Sequence, residues 1–196
     1  GEYLDVATRQ SQRIGLLVEQ LLEAAKLEAG QVTVNVEPFP IGELLQDVVQ
    51  KFALAARDCG VALDVDAMAA ATMVSGDIAL LERVLDNLID NALRHTPVGG
   101  RVTVQSQPRG ERVRIAVIDS GPGLTREEAE RAFERFYRGD PGRSTRSGQS
   151  GLGLAIVKSI LELHGSNIAV DSQPGHGASF YFELPIVTQP ARTAPT

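Results

Sequence analysis

The stretch of residues 81–97, LERVLDNLIDNALRHTP, most constrains what this chain can fold into. Its apolar residues recur at helical spacing, so one face of a helix packs on a core; they are Leu81, Leu85, Leu88 and Ala92. Asn87, Asn91 and Arg94 share a second face because steps of four and three residues separate them. Asn competes for backbone hydrogen bonds and is a middling helix former. Alone, this stripe fits a solvated face; the motifs that follow it favour a binding role.

The composition is that of an ordinary globular protein. The 196 residues are 43% hydrophobic and 22% charged, enough for one sizeable core and an accessory element. A net charge of −6 argues against a general nucleic-acid binder, which would carry a basic surface. The single cysteine, Cys59, excludes an intrachain disulfide or a Cys-based metal cluster and fits a reducing, cytoplasmic setting. No apolar run approaches a membrane span. Because the sequence begins in a helical pattern without Met, we expect a piece of a longer protein.

Residues 3–29 predict one long helix that Gly30 ends. Its inward residues alternate in steps of three and four, the pattern of a heptad seam. This seam comprises Leu4, Ala7, Ser11, Ile14, Val18, Leu21 and Ala25. A single helix cannot bury such a seam alone, so it packs either on its own domain or in a dimer bundle. The regularity of the steps favours the bundle.

The rest of the chain predicts strands alternating with helices. The patterns predict strands at 31–39, 61–66, 72–75, 101–107, 112–119, 166–172 and 178–184, and helices at 40–59 and 151–164. Asp77 is expected to cap the central helix, and Thr125 with Glu128 forms a capping box for a short one. Residues 138–150 predict a long loop rich in Gly, Ser and Arg, a kind of loop that is often functional. The tail 187–196 is expected to be disordered.

Asp119 ends a predicted strand and is followed by Gly121 and Gly123. A carboxylate in this position can accept a hydrogen bond from an exocyclic amine, and glycines let a flat ring approach the backbone. An Asx-capped turn would explain the same residues.

The segment GQSGLGL, residues 148–154, opens a helix. Glycines there expose backbone N–H groups to an anion, which the helix dipole favours, although a flexible hinge would need them as well. There is no G-x-x-x-x-G-K-[ST] loop, and no strand precedes the glycines as a dinucleotide fingerprint requires. Guanidinium groups nearby suit a polyphosphate, although solvated charge explains at least two of them; they are Arg135, Arg138, Arg143 and Arg146.

The order of these motifs is more specific than any one of them. An Asn-bearing helix, a D-x-G-x-G strand end, an F-x-x-F-x-R segment, a G-x-G-L-G helix start and a G-x-G-x-S-F strand follow one another. This order resembles the catalytic ATP-binding domain of bacterial sensor histidine kinases, within the superfamily of gyrase, the heat-shock chaperone and the MutL repair ATPase. The resemblance implies a two-layer α/β sandwich, a mixed sheet of about five strands with helices on one face. It divides the chain into a second bundle helix (1–30), a catalytic domain (31–186) and a tail (187–196).

The resemblance also implies a site for ATP and Mg²⁺. Asn91 would bind Mg²⁺ through its side-chain oxygen, since this cation prefers oxygen ligands. Asp119 would accept a hydrogen bond from the adenine amino group. The phosphates would be contacted by Asn87, by Arg94 (often Lys in this family), by Arg138 at the γ-phosphate, and by Gly151 and Gly153. The remaining implied positions are His95 (often Tyr) and Ser179 (often Thr) near the ribose or adenine, Gly121 and Gly123 beside the base, Phe133 and Phe136 under a lid, and Leu152 and Leu154 at its end.

The resemblance further indicates the reaction. Hydrolytic members of the superfamily carry a Glu as general base where this chain has Asn87, and an amide cannot take up that proton. We therefore expect phosphoryl transfer, achieved by positioning and charge neutralisation. None of the three histidines, His95, His164 and His176, lies in an S-H-E-x-x-x-P type segment. The acceptor is therefore expected on a helix outside this sequence, and the chain should not phosphorylate itself.

The partners implied are a bundle helix carrying the acceptor His, the receiver domain of a response regulator, and a second copy in a homodimer, with no nucleic acid. The implied location is the cytoplasmic portion of an inner-membrane sensor. An anti-sigma-type serine kinase is a second reading, which the heptad helix opposes. A nucleotide-gated binding module without chemistry is a third, which the full set of phosphate-contacting residues opposes.

Overall fold

The computed structural model describes residues 2–137 and 151–187. Its helices are α1 (Glu2–Glu28), α2 (Ile41–Cys59), α3 (Ile78–His95), α4 (Arg126–Arg131) and α5 (Gly153–Leu163). Its strands are β1 (Glu37–Pro40), β2 (Ala62–Ala67), β3 (Met73–Gly76), β4 (Arg101–Arg109), β5 (Arg112–Asp119), β6 (Ala169–Ser172) and β7 (Ala178–Pro185). The predicted loop 138–150 and most of the predicted tail lie outside the described residues.

Five strands form one mixed sheet in the order β2-β4-β5-β7-β6. β2 runs parallel to β4, and the other neighbouring pairs are antiparallel. Alternate residues of the central strands, such as Val104, Ile115 and Phe182, are buried beneath the helices. α2 and α3 contact this sheet, and α5 packs against α3. The predicted two-layer sandwich with helices on one face of a five-stranded mixed sheet is confirmed.

Helix α3 has the apolar face that its sequence predicts, with seven buried residues, Leu81, Val84, Leu85, Leu88, Ile89, Ala92 and Leu93. Asp77 caps the helix as expected, because its Oδ1 accepts a hydrogen bond from the backbone N–H of Leu80 at 3.1 Å. The capping box of Thr125 and Glu128 at the start of α4 is also present. The buried face and the cap together fix which residues of α3 turn away from the core.

The predicted strand over 31–39 is wrong for residues 31–36, since the observed strand β1 covers only Glu37–Pro40. β1 pairs with β3 in a separate two-stranded sheet. The alternation of valines in 31–36 has a different cause, because Val32 packs against the core without a neighbouring strand. The backbone N–H of Asn35 donates to Asp77 Oδ2 at 2.8 Å, so a side chain takes a donor that a strand ladder would use.

Helix α1 packs on α5 through buried Ala24 and Leu27. The heptad residues whose side chains are described lie on another face and are all exposed; they are Ser11, Ile14, Val18, Leu21 and Ala25. Ile14 is 60% exposed, and the described part of the seam is therefore not buried on its own domain. Within the described residues no helix is both long enough and apolar enough to cross a membrane.

Candidate functional site

Asp119 lies at the end of β5 and is only 7% exposed. Its Oδ1 accepts a hydrogen bond from the backbone N–H of Gly121 at 2.8 Å, and the backbone N–H of Ala178 also donates to the carboxyl group. Burial raises the pKa of Asp119 above its ordinary value, while these two N–H groups and the nearby His95 act to lower it. Two backbone donors thus fix the carboxylate in orientation.

The glycines around Asp119 allow two loops to touch through their backbones. Gly177 has φ 74°, and a Cβ added to it would lie 1.9 Å from the carbonyl oxygen of Asp119. Gly123 has φ 68°, and a Cβ there would lie 2.0 Å from the carbonyl oxygen of Gln173. A Cβ on Gly121 would lie 2.8 Å from the carbonyl oxygen of His95, the last residue of α3. These glycines bring the end of β5, the β6–β7 turn and the end of α3 together.

Ser179 lies one residue beyond the strand partner of Asp119. The register of β5 and β7 pairs Asp119 with Ala178 and pairs Ile118 with Ser179. Because side chains alternate along a strand, Ser179 and Asp119 face opposite sides of the sheet. A cleft of about 250 Å³ at these strand ends is lined by residues of both faces: Ile118, Asp119, Asp171, Ser172, Gln173, His176, Gly177, Ala178 and Ser179. The motif did not single out Ala178. Only the register between β5 and β7 identifies Ala178 as the residue opposite Asp119.

The polar stripe of α3 faces the start of α5. The Asn87 side-chain N–H donates to the carbonyl oxygen of Arg83 at 2.8 Å. Asn87 Oδ1 lies 2.9 Å from the position that a Cβ on Gly153 would take. The lack of a side chain at Gly153 therefore lets the amide oxygen of Asn87 approach the first residue of α5. Asn91 follows one turn later and is half-buried.

Arg94 is held on its own helix. Its Nε donates to Asp90 Oδ2 at 2.8 Å, and the two side chains are 37% and 52% exposed. Arg94, which is predicted to contact a phosphate, therefore forms an ion pair with a carboxylate one turn earlier in the same helix. The predicted contact Arg138 lies outside the described residues.

The residues that flank 138–150 on either side contact each other. The backbone N–H of Phe136 donates to the carbonyl oxygen of Gly151 at 2.9 Å. Gly151 has φ 69°, and a Cβ there would lie 2.7 Å from the Cα of Phe136. Leu152, only 2% exposed, then fixes the entry into α5, and Leu154 packs against the core. The N-cap residue of α5 is Leu152, whose side chain makes no capping hydrogen bond to the first backbone N–H groups of the helix.

The two predicted lid phenylalanines behave differently. The ring of Phe133 packs edge-to-face on Phe180 with 6.2 Å between centroids. Phe136 is 61% exposed and has φ 57°, a left-handed conformation that costs about 1–2 kcal/mol for a residue other than glycine. Phe133 therefore joins the core, while Phe136 marks a strained point next to Gly151.

The donor set suits a hard cation held jointly with a ligand. No group of three His, Cys, Asp or Glu side chains in 2–137 and 151–187 is arranged to hold a metal by itself. The amide oxygen of Asn91 is a ligand that Mg²⁺ accepts, and Mg²⁺ usually completes its shell with water and phosphate oxygens.

The chain is similar in sequence to known histidine kinases. A family model described as histidine kinase-, DNA gyrase B-, and HSP90-like ATPase matches residues 76–188. The sensor-like histidine kinase SenX3 of Mycobacterium bovis is 36% identical over 180 residues, which are 92% of this chain and 44% of that relative.

Two solved structures are similar over nearly the whole chain. Full-length ShkA in complex with AMPPNP superposes with a TM-score of 0.82 at 29% identity, covering 97% of this chain and 40% of that one. Histidine kinase ThkA in complex with the response regulator protein TrrA superposes with a TM-score of 0.76 at 25% identity, covering 95% and 51%. The chain spans less than half the length of SenX3. Because the family model covers more than half of it, the chain belongs to the histidine kinase-, DNA gyrase B- and HSP90-like ATPase family.

Proposed function

We propose that the chain is the ATP-binding kinase module of a two-component sensor histidine kinase. It binds Mg-ATP and donates the γ-phosphate to a histidine on a bundle helix outside this sequence, from which the phosphate passes to an aspartate of a response regulator. The observation that carries this proposal is that α3 meets the glycine start of α5 at Asn87 and lies near the adenine-type acceptor Asp119 at its last residue, His95. The relatives named above, SenX3 and ThkA, support the kinase assignment.

The adenine end of the site is built around Asp119. Because the backbone N–H groups of Gly121 and Ala178 orient its carboxylate, the remaining acceptor capacity is directed at a ligand. An exocyclic amine is the matching donor, and adenine carries one at the position where guanine has a carbonyl. His95 acts on Asp119 as a nearby positive charge, and we expect its ring to lie beside the ribose or base.

The phosphate end is built from α3 and the start of α5. The first turn of α5 follows the glycine-rich segment and directs backbone N–H groups and the positive end of the helix dipole toward the phosphates. Asn87 lies beside that turn, and Asn91, one turn further along α3, would hold Mg²⁺. The metal, when bound, neutralises phosphate charge. The chain positions the donor phosphate and supplies polar contacts for its oxygens.

The structure supports transfer over hydrolysis because each carboxylate group of α3 forms an ion pair. Asp90 pairs with Arg94, while Glu82 and Asp86 pair with Lys51 at 2.9 and 2.7 Å. The residue facing Gly153 is an amide, which cannot take a proton from water at neutral pH. The transferred group therefore has to be received by a partner that supplies its own acceptor.

The described histidines are poor acceptors for that phosphate. His164 accepts a hydrogen bond from the backbone N–H of Asp77 at Nε2, and its Nδ1 lies 2.8 Å from the carbonyl oxygen of Ile160. Both of its ring nitrogens are therefore engaged. His95 ends α3, His176 lies in the β6–β7 turn, and neither lies on α1. This supports an acceptor on a separate helix.

The exposed heptad seam of α1 fits the bundle part of the proposal. Ile14, Val18 and Leu21 are each at least 50% exposed, and their burial needs other helices. The seam would pack against the first bundle helix and against the bundle helices of a second copy of the full protein. The same bundle would present the phosphorylated histidine to a receiver domain, with this module in the cytoplasmic portion of a membrane-anchored sensor.

Binding and transfer are tested separately. Calorimetric titration of this chain with Mg-ATP should show binding, and incubation with labelled ATP alone should leave the chain unlabelled. Addition of a helical hairpin from the parent protein that carries the acceptor histidine should produce an acid-labile label on the hairpin. Rapid ATP hydrolysis by the chain alone, or label on His95, His164 or His176, would contradict the proposal. Binding without transfer would favour a nucleotide-gated module.

A further inference from the structure

An ion pair joins α1 to Arg83 of α3, one turn before Asn87. Arg83 Nε donates to Glu23 Oε1 at 3.2 Å, and Arg83 Nη2 donates to Glu23 Oε2 at 2.8 Å. The side chains are 40% and 29% exposed, so the pair lies partly beneath the surface. The guanidinium thus uses its forked geometry on a carboxylate that is 60 residues away in the sequence.

Arg83 continues the series that carries the proposed nucleotide contacts. His95, Asn91, Asn87 and Arg83 recur every four residues, so they form one slowly winding stripe. Each step of four residues advances about 6 Å along the helix axis. His95 lies near the buried Asp119 at one end of the stripe, while Asn87 lies against Gly153 and donates to the Arg83 carbonyl at the other.

This order gives the nucleotide a direction on the proposed site. A base at Asp119 places the phosphates toward Asn87 and the start of α5. The next cationic group beyond Asn87 on this stripe is Arg83, so the terminal phosphate points toward it. A guanidinium forms two parallel hydrogen bonds with phosphate oxygens as readily as with a carboxylate. One guanidinium cannot form both bidentate pairs at the same time.

We propose that Arg83 is a binding residue for the terminal phosphate of ATP that Glu23 of the docked helix α1 occupies in competition. This inference rests on the proposed function, since it needs a nucleotide laid along α3. Two consequences follow by linkage: docking of α1 weakens the γ-phosphate contact, and ATP weakens the docking of α1 to the same extent. Among the described residues of α1, only Ala24 and Leu27 are buried apolar ones, so the ion pair contributes a substantial part of the attachment of α1.

The test is calorimetric titration of this chain and its variants with Mg-ATP and Mg-ADP. Glu23→Gln should tighten ATP binding roughly 1.5-fold to fivefold, the range for a partly exposed charge contact, with a much smaller change for ADP. Arg83→Gln should lower the preference for ATP over ADP. In the double variant, Glu23→Gln should have no further effect, because the competing guanidinium is gone.

Two controls keep the result specific. Glu82→Gln removes a carboxylate of α3 that pairs with Lys51, and it should leave the ATP-to-ADP ratio unchanged. If Arg83→Gln fails to fold, Arg83→Lys keeps the charge but loses the fork, and it should lower the ratio in the same direction. An ATP-to-ADP ratio that Glu23→Gln does not change would overturn the assignment while leaving the proposed function intact. Failure of the unmodified chain to bind either nucleotide would overturn the proposed function and this inference together.

Discussion

The base end and the phosphate end of the proposed site are built by different means. Around Asp119, backbone atoms contact backbone atoms, and the carboxylate receives two main-chain N–H groups. Along α3, by contrast, polar side chains bind partners within the protein. Asn87 binds the Arg83 carbonyl, Arg94 binds Asp90, and Arg83 binds Glu23. The base end is therefore fixed by main-chain contacts, whereas the phosphate end is held by side-chain pairs, which a ligand can replace without moving the backbone. Such a division places selectivity for the base in the fold and leaves the phosphate contacts adjustable.

The strongest way to break the base end is to fill one of its backbone contacts. Gly177→Ala should lower the free energy of unfolding by about 2–4 kcal/mol, combining left-handed strain with overpacking. The reason is its φ of 74° and the 1.9 Å between the added Cβ and the Asp119 carbonyl oxygen. Chemical denaturation measures this, and ATP binding should be lost under conditions where the variant stays folded.

Gly175 in the same turn is a matched control. It also has a positive φ, 83°, but a Cβ there would meet nothing within 4 Å. Gly175→Ala should therefore cost only the strain, about 1 kcal/mol. Equal losses in the two variants would show that the contact with Asp119 is unimportant.

At the phosphate end, the largest expected loss follows from Asn91→Ala. The variant removes the amide oxygen assigned to Mg²⁺, so Mg-dependent ATP affinity should fall at least tenfold. The unfolding free energy should change by less than about 1 kcal/mol, because Asn91 does not belong to the buried face of α3. Titrations with and without Mg²⁺ separate the metal contribution from the rest. An unchanged affinity in the presence of Mg²⁺ would remove Asn91 from the site.

The acceptor role of Asp119 predicts a dependence of binding on pH. Burial raises the pKa of Asp119, so acid protonates it at a higher pH than an exposed Asp. The protonated group offers an O–H where an acceptor is needed, so ATP affinity should fall as pH decreases through that pKa. Asp119→Asn should bind ATP about tenfold more weakly at neutral pH, since an amide N–H₂ replaces one acceptor oxygen.

The phosphates of the nucleotide titrate as well, so the Asp119→Asn profile is the reference for this measurement. The component assigned to Asp119 is the part of the acid-induced loss that the variant lacks. Parallel profiles for the two proteins would exclude the Asp119 carboxyl group as the titrating acceptor.

The local parts of this architecture could be predicted from the sequence, and the parts that depend on tertiary contacts could not. Helix α3 combines a regular period with an Asp77 cap, both of which act within a few residues. The valines of 31–36 have a strand-like period as well, but the N–H of Asn35 bonds to Asp77, so no ladder forms there. A local pattern predicts an element only where its backbone partners are also available.

The site shows the same limit. The motif that contains Ser179 identified the correct strand, but the β5–β7 register puts Ala178 opposite Asp119. The contact of Asn87 with Gly153 depends on how α3 packs on α5, and the pairing of Arg83 with Glu23 depends on how α1 docks. No local pattern specifies these two packings, so sequence motifs give the residue types of the site but not their partners.

The smallest expected effect tests whether the partners at the phosphate end are exchangeable. Asp90→Ala removes the partner of Arg94, an exposed pair of the kind worth about 0.3–0.5 kcal/mol. If Arg94 reaches a phosphate, its release should tighten ATP binding about twofold, the same energy expressed as an affinity. In an Arg94→Ala background the same change should have no effect on affinity, and this double-mutant cycle cancels any general effect of losing a negative charge on α3. A gain that persists without Arg94 would mean that the charge at position 90 acts through the field of the whole site. In that case Arg94 would stay paired with Asp90 whether or not ATP is bound, and the side chains of the phosphate end would keep their partners as the base end does.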